Sequence, residues 1–82
     1  MNIIKEAAIL RDGEVYTGRR HSEIISRIAT ETGIRPVTGE QGFVTIKGEF
    51  VNRKQAARIA LTTGQIQKLR FHKNELFGED LY

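Results

Sequence analysis

The stretch EAAILRDGEVYT, residues 6–17, decides how this chain is read. Two apolar-rich runs flank Asp12-Gly13, a dipeptide whose tolerance of positive φ suits a tight turn, so residues 3–18 are expected to form a β-hairpin. From Ser22 onward the apolar side chains Ile24, Ile25, Ile28 and Ala29 fall on one helical face. The helix is expected to stop at Gly33, with Pro36 soon after.

The same order then recurs. GFVTIKGEFV, residues 42–51, reads as a second hairpin turning at Lys47-Gly48. Asn52 followed three residues later by Gln55 forms a capping-box signature for a second helix that ends at Gly64. The helices also share letters: RIATETG at 27–33 and RIALTTG at 58–64 agree at five of seven positions, with an offset of 31. The turns Gly13-Glu14 and Gly48-Glu49 are instead offset by 35, so the first unit carries about four more residues between turn and helix, around TGRR. Each ββα unit is too small to bury its own apolar face. One α+β domain over residues 1–82 follows, an antiparallel sheet of two hairpins with both helices on one face. Beyond Gly64, Leu69 and Phe71 alternate like a short C-terminal edge strand, followed by a tail. That tail interleaves Leu76, Phe77, Leu81 and Tyr82 with Glu75, Glu79 and Asp80, so it is expected to dock: on its own domain, on a second subunit, or over a ligand.

Composition narrows the function. A chain of 82 residues has a thin core, for which self-association is a natural supplement. Cysteine is absent, which removes disulfides, thiolate metal sites and cysteine nucleophiles and suits a reducing cytoplasm. Neither a secretory leader nor an apolar run of membrane-spanning length is visible, so a soluble protein without a membrane partner is expected. The net charge of +3 is uneven. Residues 1–74 hold all thirteen Lys and Arg against seven acids, a net +6, while the last eight residues carry −3. Such a basic body attracts anions.

Both expected helix starts are basic, Arg19, Arg20 and His21 before the first and Arg53 and Lys54 in the first turn of the second. Cations are disfavoured beside the positive end of a helix dipole unless an anion shares the position, and phosphate is the natural candidate. Solvated side chains, neutralised by Glu23 or the acidic tail, are the plain alternative. His21 and His72 have no partners at ligand spacing, so neither a metal nor any other cofactor is expected. Walker-type loop, GxSxG elbow and HExxH are all missing, which leaves catalysis without a clear agent and points to a protein that is not an enzyme. A weak exception would use His21 as a general base on a bound phosphoester.

Three segments, GEVYTGRRHSEII, GEQGFVTIKGEFVNRKQAARIALTTGQI and LFGEDLY, resemble in content and order the phage anti-Thoeris sponges. Those anti-defence proteins sequester the cyclic ADP-ribose signal of a bacterial immune system. The resemblance implies a phage protein in the host cytoplasm that binds a cyclic ADP-ribose isomer or cyclic dinucleotide without cleaving it. It further implies that Arg19, Arg20, His21, Arg53 and Lys54 bind phosphate or ribose oxygens, with Asn52 capping its helix or touching sugar. Phe43 or Tyr16 would stack on the base, although Phe43 also reads as plain sheet core. Glu79 and Asp80 would receive ribose hydroxyls or pair with arginines of a neighbouring chain. A ligand of that kind suits a pocket shared between copies, so a dimer or higher homo-oligomer is expected. The rival reading is a small nucleic-acid-binding phage regulator whose basic surface extends through Arg58, Lys68, Arg70 and Lys73. An inhibitor that binds protein through the apolar tail is a third reading.

Overall fold

The computed structural model of the chain describes residues 2–81. Its strands are β1 (Ile4–Arg11), β2 (Glu14–Gly18), β3 (Glu40–Thr45) and β4 (Phe50–Asn52). Its helices are α1 (His21–Thr32), α2 (Arg53–Thr62) and a single turn, α3 (Gly78–Leu81). At the first hairpin Asp12 and Gly13 both have positive φ, 51° and 80°, which matches the right-handed strand twist of the β1–β2 pair. The second hairpin is built around Thr45, almost wholly buried, whose hydroxyl accepts from the N–H groups of Lys47 and Glu49. α1 ends where Gly33 takes φ 71° and donates its N–H to Ala29 O.

All strands pair antiparallel in the order β2-β1-β3-β4. β1 and β3 lie side by side at the centre, each flanked by its own hairpin partner, so a local two-fold through the β1–β3 pair relates the two ββα halves. The matched heptapeptides occupy equivalent places, at the ends of α1 and α2. Strand alternation sends Ala7 and Ile9 of β1 and Phe43 of β3 toward the helices. Ile24 and Ile28 of α1 and Ala56, Ala57 and Ala60 of α2 cover them and complete one core. The small alanines let α2 lie close over Phe43, and Leu76 from the tail, fully buried, fills the space beside them.

Two details differ from expectation. α1 begins at His21, one residue before Ser22. The edge strand expected at Leu69 and Phe71 is absent, and the C-terminal part is a docked coil that ends in α3. Along this segment the Arg70 N–H donates to the Asp80 carboxylate instead of to a strand. Only a side chain imitates strand pairing there. Gln65 donates through Nε2 to Ile4 O at 2.7 Å and accepts from Ile4 N at 2.9 Å. No helix is long and apolar enough to cross a membrane among the described residues.

Candidate functional site

The two-fold arrangement brings both helix starts to the middle of the sheet. β2 ends with Gly18 opposite Ala7, β4 ends with Asn52 opposite Gly42, and Ala7 and Ala8 pair with Phe43 and Gly42. Gly42 is where they meet. A side chain there has no room, since a Cβ would lie 2.2 Å from Val51 O and 2.7 Å from the Phe50 ring. His21, the first residue of α1, approaches from above, its Nε2 2.7 Å from Gly42 O, while its ring stands edge-on to Phe43 at 5.2 Å.

The two starts are finished differently. α2 has a complete capping box: Asn52 Oδ1 accepts from Gln55 N at 2.8 Å, and Gln55 Oε1 accepts from Asn52 N at 2.9 Å. α1 has Arg20 at its N-cap in extended conformation, and no side-chain hydrogen bond closes it. Arginine has no acceptor to offer the helix N–H groups, so sequence alone denies this position a cap.

Arg53 reaches from α2 across to α1. Its guanidinium donates to Leu76 O at 2.8 Å and to Gln41 Oε1 at 2.7 Å, lies 3.5 Å from His21 Nδ1, and stacks 4.4 Å over Phe77. The Arg53 carbonyl in turn accepts from Leu76 N at 3.0 Å, which locks the tail to α2. Desolvation lowers the Arg53 pKa and the nearby Glu75 and Glu79 carboxylates raise it, and an arginine keeps its charge throughout. Burial likewise pushes the His21 pKa below its ordinary value; the Gly42 carbonyl opposes this and the Arg53 charge adds to it. Neutral His21 with its proton on Nε2 satisfies both neighbours, donating to Gly42 O and accepting from Arg53 at Nδ1. Both ring nitrogens are thus engaged, and His21 fixes geometry between β3, α1 and α2.

These groups line a cleft of about 200 Å³ formed by Arg20, His21, Ser22, Arg53, Phe77, Gly78 and Glu79. Arg20 and Glu79 face each other across it at 3.6 Å. Of the residues singled out in the sequence, Arg20, His21, Arg53 and Glu79 are brought together here. Asn52 and Lys54 line a neighbouring hollow with Arg53, Glu40, Gln41 and Glu75. Arg19 is exposed at the turn before the cleft. Three residues take other places. Phe43 is fully buried beneath His21, with no ring face open to a base. Tyr16 packs on the core from β2, and its hydroxyl donates to Glu14 at 3.1 Å, a bond that raises its pKa. The Asp80 side chain is buried and holds the tail, accepting from Arg70 N at 2.9 Å and Phe77 N at 3.0 Å.

Ser22, Phe77 and Gln41 are contributors that sequence reading missed. Ser22 directly follows the Arg-Arg-His run, and Phe77 lies in the apolar tail that was expected to dock, so both carried a signal. Gln41 carried none. On the other side of α2, Lys54, Arg58 and Lys73 surround the leucines Leu61 and Leu69 in a separate hollow, while Arg70 is held by Asp80. No three His, Cys, Asp or Glu side chains cluster at metal-binding distance among the described residues.

The model of one protein family, described as the phage T4 y16D protein, matches residues 3–82. No curated protein and no solved structure matches the chain.

Proposed function

The chain belongs to the phage T4 y16D protein family, and from that premise we propose that it binds and sequesters a cyclic nucleotide, an anti-defence sponge that holds the signal without cleaving it. One observation carries this reading. Arg20 and Arg53, from helix starts 33 residues apart in sequence, line one cleft beside the helix start that no side chain caps. Guanidinium N–H groups and the α1 dipole favour an anion at that point. Ser22 supplies a hydroxyl and Phe77 an aromatic surface; both suit the sugar and base of a nucleotide. The resemblance of the Arg-Arg-His and Glu-Asp-Leu-Tyr segments to the anti-Thoeris sponges supplies the ligand class. With both His21 nitrogens engaged and the Glu79 carboxylate facing Arg20 at 3.6 Å, the cleft is arranged to hold an anion, which favours binding over turnover.

At about 200 Å³ the cleft is smaller than the roughly 300–1,000 Å³ of sites that enclose small molecules. A cyclic dinucleotide therefore needs two clefts facing each other, so the reading includes a homo-oligomer that closes around its ligand.

Calorimetric titration with cyclic ADP-ribose isomers and cyclic dinucleotides, followed by chromatography of the ligand recovered after heat denaturation, tests the proposal. Saturable binding with intact ligand returned is the expected outcome, with Arg20→Ala and Arg53→Ala each weakening it by tenfold or more, on the order of one charge-assisted contact. Absence of binding across the panel sinks it. The nucleic-acid reading keeps one observation of its own, the Lys54, Arg58 and Lys73 hollow, which no carboxylate lines. It predicts affinity that grows with oligonucleotide length and collapses between low and moderate salt.

A further inference from the structure

We propose that Glu79 makes the cleft selective for phosphodiesters over phosphomonoesters. This deepens the binding reading above and rests on it. Three charged side chains line the cleft among the described residues: Arg20 and Arg53 are positive, and Glu79 is negative. His21 adds no charge in the arrangement that satisfies its neighbours, because the ring donates from Nε2 to Gly42 O and presents Nδ1 to a guanidinium. Ser22 and Phe77 are uncharged. Glu75, which also feels Arg53, lies in the neighbouring hollow with Glu40 and Lys54 and does not line the cleft. The cleft thus offers one net positive charge.

A phosphodiester carries one negative charge, while a phosphomonoester carries about 1.5 to 2 near pH 7. The first matches the cleft, and the second brings its extra charge against the Glu79 carboxylate. Hydrogen-bonding capacity sets the same limit. Arg53 has committed guanidinium N–H groups to Leu76 O, Gln41 Oε1 and His21 Nδ1, and its plane is held against Phe77. Arg20 is shared with Glu79 at 3.6 Å. Neither arginine is free to turn as a full fork onto a terminal phosphate, the geometry in which monoester recognition gains most. Glu79, more than half exposed at the rim, is in turn an acceptor for a sugar hydroxyl beside the bound phosphate. In a cyclic dinucleotide every phosphate is an internal diester, whereas hydrolytic opening at one phosphate leaves a terminal monoester. Glu79 therefore lets the protein retain an intact cyclic dinucleotide and reject its ring-opened product.

The test titrates 3′,5′-cyclic AMP and 5′-AMP, alike in base and sugar and different in phosphate esterification, into native protein and Glu79→Gln at pH 7.5 and low salt. Amide NMR shifts supply both the affinity and the location, with Arg20→Ala as the site control. Native protein is expected to prefer the cyclic form. Glu79→Gln is expected to move the affinity ratio about tenfold toward 5′-AMP, the scale of one charge at close range. Glu79→Asp is expected to keep the native order. An unchanged ratio in Glu79→Gln, with both ligands still bound in an Arg20-dependent way, overturns the selectivity and leaves the binding reading standing. No Arg20-dependent shift from either nucleotide in either protein also overturns the selectivity, while the calorimetric panel above decides the binding reading separately.

Discussion

The two helix starts began in sequence as a pair, each basic and each suited to an anion, and the structure separates them. α2 is closed by the reciprocal bonds of Asn52 and Gln55, and its first arginine has turned away to bind the tail and Gln41. α1 is left with an arginine at its N-cap, a neutral histidine bonded down to the sheet, and a carboxylate from the tail across from it. The difference teaches that a basic helix start is a candidate anion site only where local chemistry has not already closed it. It also explains how a helix whose start is closed still contributes, since Arg53 is the side chain α2 lends to the cleft of α1.

The sharpest way to break that comparison is at the residue the two starts share. Gly42→Ala puts a methyl group against Val51 O and the Phe50 ring, and neither strand can yield without moving one helix start. A loss of about 3 kcal/mol or more is expected, read as a fall in the midpoint of denaturant unfolding. Substitutions at the caps should then act with opposite sign. Asn52→Ala removes a working cap and is expected to cost about 1 kcal/mol. Arg20→Asn supplies α1 with the acceptor it lacks and is expected to stabilise by roughly 0.5 kcal/mol while weakening nucleotide binding. Equal destabilisation by both would mean that the two starts do not differ as described.

The smallest effect concerns pH. The folded-state pKa of His21 lies below the unfolded value, so the unfolded chain binds the proton first as pH falls. The contribution of neutral His21 is present in full above about pH 6.5, the unfolded value, and is lost as pH drops through the lowered folded value. Unfolding midpoints of native protein and His21→Gln, compared between pH 7.5 and 5, should converge toward the acid end. The comparison between the two proteins isolates the contribution of His21. A gap that widens on acidification would contradict the neutral ring bonded between Gly42 and Arg53.

Much of this was legible in the chain because it is local. Asp12-Gly13 needs only its own two residues to specify a turn, Asn52 and Gln55 close a helix three residues apart, and the spacing of Ile24, Ile28 and Ala29 marks a buried face without reference to any partner. The α+β class and the four-stranded sheet follow from those signals. The candidate site was half legible: Arg20, His21, Arg53 and Glu79 stood out by charge, but nothing local placed them together. Residues 69–71 had the alternation of a strand and did not become one: the Arg70 N–H, which a strand ladder would use, is bonded to Asp80 ten residues on.

What the sequence by itself determined was the order of elements and the basic character of both helix starts, since turn, cap and periodicity act within a few residues. What only the tertiary structure decided was that the two starts meet at one cleft, that Phe43 is core, that Asp80 holds the tail, and that Arg53 crosses to α1. Each of these depends on a partner ten or more residues away or on the space left when two halves pack around Gly42, and such partners are chosen by packing and by the need to satisfy buried polar groups.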